Sequence, residues 1–151
     1  MKATSAIITE YKEARDKLVK VVESLKGSNE DIAGTWDLKN VIAHLTGWAE
    51  YQISVLEDII HNKLPQKWGD IDIFNKKSVS KRVNYSLDKV INEYLQVTDK
   101  LIESYGKIPA EIWDKPIWKD LKATPTKLLN IEIRHILKTH LPQMLEHVGS
   151  R

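Results

Sequence analysis

The sequence contains no cysteine, and that single absence removes disulfides, thiolate nucleophiles and cysteine-ligated zinc together. Histidine, carboxylate and hydroxyl chemistry remain. Arginine is scarce, occurring only at Arg15, Arg82, Arg134 and Arg151, and the 23 basic and 21 acidic residues are interleaved to a net charge of +2. No phosphate-binding stripe is built from so even a mixture, which excludes nucleic acid as the expected partner. No apolar run approaches about 18 residues, so no membrane span is expected. The first residues are charged and amphipathic without a continuous apolar core, unlike a secretory signal. Cytoplasm is the expected location. A length of 151 residues matches one hydrophobic core, giving a single domain over residues 1–151.

Strand alternation, internal repeats and low-complexity tracts are also missing; helical periodicity takes their place. Ile7, Ile8, Tyr11, Leu18, Val21, Val22 and Leu25 share one face of a first helix that stops at Gly27. A second helix starts from a cap at Thr35 or Asp37, carries Val41, His44, Leu45, Trp48, Val55 and Ile59 inward, and ends before Pro65. Gly47 is a weak point inside it. The loop from Asn62 to Asn75 is rich in apolar residues and is expected to cover the helices or form a dimer contact, with Asp70 and Asp72 solvated. A short helix from about Asn75 to Val83 leads to a Ser86 cap and a strong helix through Leu87, Val90, Ile91, Tyr94, Leu101 and Tyr105, closed by Gly106. The last helix begins at Thr124-Pro125 and turns Leu129, Ile133, Ile136, Leu137, His140 and Met144 inward. Pro142 should kink it. The expected fold is all-α, an antiparallel four-helix bundle with a long connection between helices 2 and 3.

Two inward histidines stand out on this pattern. His44 lies in the stretch from Trp36 to Trp48, on one face with Val41, Leu45 and Trp48, and His140 faces inward from the last helix. An unpaired buried imidazole costs on the order of 1 to 3 kcal/mol, so each needs a partner. A metal ion, a polar metal-free pocket and a hydrogen-bonded core pair all answer that need. Trp36 and Trp48 read as core packing or as pocket walls.

The pattern W-x-x-x-N-V-I-A-H-L-x-x-W at Trp36 to Trp48, Phe74-Asn75, the Ser86-Leu87 helix opening and H-L-P-Q at His140 to Gln143 together resemble the DinB/YfiT-like superfamily. The resemblance runs from about Trp36 onward. It implies a four-helix bundle related to bacillithiol S-transferases and mycothiol-dependent isomerases, often paired as homodimers. A typical member binds a divalent metal, often zinc or nickel, through three histidines. One lies on the second helix, matching His44; two lie four residues apart on the last helix, the second matching His140.

The third ligand does not match. Four residues before His140 stands Ile136, and His135, at five, projects roughly 140° away on an ideal α-helix. His147 is about 10 Å along the axis, and Glu132 is a weaker candidate still. The resemblance thus implies a metal site at His44 and His140 with an incomplete triad; the alternative is a metal-free bundle cavity lined by Trp36, Trp48, His44 and Gln143. Two functions follow: a metal-dependent thiol transferase or hydrolase acting on a small electrophile, its thiol cofactor unnamed, or a metal-free protein that captures a small molecule.

Overall fold

A computed structural model describes residues 4–148; residues 1–3 and 149–151, Arg151 and both ends of the expected domain among them, lie outside the described residues. The chain is all-helical. Helix α1 spans Thr4–Ser24, α2 Leu38–Ile60, α3 Ile71–Ser80 and α4 Leu87–Gly106, followed by a 3₁₀ turn at Ala110–Ile112. Helix α5, Pro125–Arg134, then runs through a π-helical segment, His135–His140, into α6, Leu141–Val148. Among the described residues no strand forms, only isolated bridges pairing Ala33 with Trp36 and Trp118 with Leu121. No helix among them is long and apolar enough to cross a membrane.

Local chemistry sets these boundaries. Asp37 caps α2 by accepting from Asn40 N at 2.9 Å, Ser86 caps α4 through Lys89 N, and Thr124 caps α5 through Lys127 N with Pro125 in the first turn. Gly27 turns the chain after α1 with a φ of 94°. Helix α3 starts four residues ahead of the sequence expectation. Asp70 is no free loop residue: its carboxylate accepts from Ile73 N at 2.9 Å and nucleates the helix there.

Helix α2 packs against α3 and α4, while α1 lies against α4, α5, the π segment and α6. Leu18, Val22, Val41, Leu45, Leu56, Val90, Leu101, Ile136 and Met144 are fully buried between them. The approach of α3 to α2 explains Gly47: a Cβ there would stand 2.0 Å from Ser78 Oγ and 2.6 Å from Ser78 Cβ. Gly47→Ala is therefore expected to destabilise by about 1 to 3 kcal/mol, although helix propensity alone favours alanine by roughly 1 kcal/mol. Urea denaturation checks this, and pairing the change with Ser78→Gly should recover most of the loss.

Candidate metal centre

The last helix carries the decisive local feature. Pro142 offers no N–H to the carbonyl four residues back, and its ring crowds the preceding turn. The helix widens into the π segment immediately before it. With hydrogen bonds reaching five residues instead of four, each residue turns through a smaller angle, and positions five apart come much nearer to one face than the roughly 140° of an α-helix allows. His135 and His140 accordingly share a face, with ring centroids 4.5 Å apart. The expectation that His135 points elsewhere is corrected: it assumed regular α-helical rotation, which this segment does not have.

His44 reaches the same spot from α2, its ring centroid 5.0 Å from that of His135 and 5.3 Å from that of His140. One ligating atom from each histidine lies within 4.8 Å of the others. Tetrahedral zinc with bonds of about 2.1 Å separates its nitrogens by roughly 3.4 Å, so the set closes by small side-chain rotations.

Neighbouring residues fix which nitrogen faces this space. Trp48 Nε1, which can only donate, bonds Asn75 Oδ1 at 2.8 Å, and His44 Nδ1 meets the same oxygen at 2.8 Å. His44 must therefore donate from Nδ1, leaving the lone pair on Nε2. His140 Nδ1 likewise donates to Gln143 Oε1 at 2.9 Å. The Nε2 atoms of His44 and His140 are buried without a hydrogen-bond partner. An outer oxygen that holds the ring and fixes the tautomer is the usual support of a metal-bound histidine. Asn75→Ala is expected to lower zinc affinity about 10- to 100-fold, measurable by competition with a chromophoric chelator.

Burial keeps the cluster uncharged. Desolvation pushes the His44 pKa down to about 3 and that of His140 to about 4, with His135 lowered for the same reason. At neutral pH all three rings are unprotonated, the form a metal requires.

The histidines open onto a cavity of about 460 Å³ whose wall includes Trp36, Trp48, Tyr51, Trp68, Ile131 and Glu132. Trp36 sits 4.9 Å from the His44 ring, and Trp48 stacks on Phe74 at 4.1 Å. Trp68 meets Trp118 and Tyr51 edge-on at 5.9 and 6.3 Å, so the loop before α3 covers the cavity. That loop is tied down by Trp118 Nε1 to Pro65 O and Tyr51 Oη to Gln66 O. Gln143 is not part of the wall; it holds His140 from behind. His147, expected to be exposed, pairs with Glu30 at 2.6 Å, away from the cluster.

No protein-family model, curated protein or solved structure matches this chain. The centre is argued on its own geometry. The sequence reading set His135 aside for want of a π-helix and noted Asn75 only as a helix start; Glu132, ranked a weak ligand candidate, lies in the cavity wall and not among the ligating atoms. Glu132 is 5 % exposed beside the cavity, and burial raises its pKa to about 8. The signal that could have found His135 was Pro142, two residues beyond His140, where a disturbed helix alters the five-residue spacing.

Proposed function

We propose that this chain is a DinB-like antiparallel four-helix bundle that holds a divalent metal, zinc or nickel, through His44, His135 and His140 and acts on a small electrophile in the adjoining cavity. The observation that carries this reading is the pair of buried, unpartnered Nε2 atoms on His44 and His140, set beside His135. A buried acceptor without a partner costs about 1 to 3 kcal/mol, and a cation is the simplest group that satisfies several at once. Three neutral imidazoles with no carboxylate among them suit zinc or nickel better than calcium or magnesium.

Such a metal, when bound with an open position, lowers the pKa of a water or thiol and polarises an electrophile. The protein's own residues supply the rest. Asn75 and Gln143 hold the two imidazoles in the Nε2-acceptor tautomer, and the aromatic wall excludes water and receives the apolar part of the substrate. Glu132, protonated at neutral pH, brings a carboxyl proton to the cavity wall.

The family pattern then differs here by one residue inserted between the two histidines of the last helix and absorbed by the π segment. Deleting exposed Lys138 should return the stretch to α-helix with the histidines four apart, and zinc affinity should stay within about tenfold of wild type. A loss as complete as that of His140→Ala would contradict the insertion account.

Metal analysis of protein purified without a histidine tag tests the reading. Stoichiometric zinc or nickel, absent from His44→Ala and His140→Ala, supports it. Wild-type protein that takes up neither ion favours the second reading, capture of a small molecule without metal, for which the aromatic cavity itself speaks.

A further inference from the structure

The cavity's charge pattern restricts what it can hold. Among its lining residues there is no lysine and no arginine, and its one acidic group, Glu132, is buried. The basic neighbour of Trp68, Lys67, is committed to Asp120 at 2.6 Å. An anionic group entering the cavity loses its water and meets no counter-charge from a side chain, a loss of several kcal/mol.

Three polar side chains of the wall are turned onto the protein. Gln52 Nε2 donates to Leu128 O at 3.2 Å, while its Oε1 accepts from Tyr105 Oη at 2.7 Å. Asn75 accepts from both Trp48 and His44, and Tyr51 Oη donates to Gln66 O at 2.7 Å. What faces the empty space is mostly indole and aliphatic surface, with the exposed Ile131 at the rim.

We infer that the wall beyond the histidines receives an uncharged, largely aromatic or aliphatic body, and that any charged or donor atom of the substrate is confined to the end that meets the histidine cluster, where a bound divalent ion would supply the counter-charge. This rests on the reading that the histidine cluster and the cavity form one ligand site. Aromatic walls with few polar groups favour such ligands through burial at about 25 cal/mol per Å² and ring stacking.

Two dyes of nearly the same apolar body separate the possibilities: neutral N-phenylnaphthylamine and its sulfonated analogue, anilinonaphthalenesulfonate. Titrated into chelator-treated protein and followed by energy transfer from tryptophan, the neutral dye should bind at least about tenfold more tightly, the cost of one poorly solvated charge. Ile131 is 56 % exposed, so substitutions there spare the core. Ile131→Trp should narrow the mouth and weaken the neutral dye about tenfold, whereas Ile131→Lys should shrink the preference between the dyes by a factor of about three or more. Equal or tighter binding of the sulfonate to wild type, or neutral-dye binding indifferent to Ile131→Trp, overturns the inference. Zinc titration of the same sample keeps the two proposals apart. A neutral-dye preference without zinc uptake removes the metal and leaves the apolar specificity standing; zinc uptake with a sulfonate preference does the reverse.

Discussion

Replacing His135 with alanine is expected to abolish tight zinc binding as completely as replacing His44 or His140, each by at least about 100-fold, beyond the range seen for supporting residues. Equality among the three is the informative result. A site built from His44 and His140 alone would leave His135→Ala close to wild type, and regular α-helical geometry would demand that outcome. The π segment reverses the expectation by setting the His135 and His140 rings 4.5 Å apart. Thermal denaturation supplies an independent reading. Free zinc at a thousand times its dissociation constant stabilises a folded site by about 4 kcal/mol, which for a domain of this size raises Tm by roughly 10 °C. That increment should vanish in each of the three variants.

Glu132→Gln has the second large effect, and its sign depends on pH. Burial raises the Glu132 pKa to about 8, so the folded protein retains a proton that the unfolded chain, with its ordinary value of 4.5, gives up. Stability is therefore greatest from this group below the unfolded pKa and falls as pH rises through the window from about 4.5 to 8. The histidines act in the opposite sense. With folded values near 3 for His44 and 4 for His140, below the ordinary 6.5, their contribution is complete above pH 6.5 and is lost as pH falls and the unfolded chain takes up protons. Comparing wild type with Glu132→Gln isolates the carboxyl. In chelator-treated protein the variant should gain about 3 kcal/mol relative to wild type between pH 5 and pH 8. Urea titrations at the two pH values measure the difference; a constant offset would mean that Glu132 stays ionised in the fold.

Helix existence was legible because amphipathic spacing and caps act locally: Asp37, Ser86 and Thr124 each begin a helix where their side chains could be expected to accept a backbone N–H. Asp70 obeyed the same rule and was passed over, since the apolar residues Ile71 and Ile73 that follow it are exposed and gave no inward stripe. His44 and His140 could be placed inward because Val41 and Leu45, or Ile136 and Met144, flank them at helical steps. His135 could not, because its direction depends on a change of helical pitch, and pitch is set by Pro142 and the packing of α1 against the widened turn. Asn75 and Glu132 lay beyond reach for a different reason. Their roles arise only when separate elements meet, α3 against α2 at Asn75 and the buried end of the cavity at Glu132.

X-ray absorption at the zinc edge, on untagged protein loaded with one equivalent, tests the convergence of the three imidazoles most directly. Three histidine nitrogens at about 2.0 to 2.1 Å plus one light-atom ligand from solvent is the expected first shell, with imidazole multiple scattering reduced by one ring in each alanine variant. A shell containing two imidazoles or fewer, or one unchanged by His135→Ala, would contradict a site made by His44, His135 and His140 together.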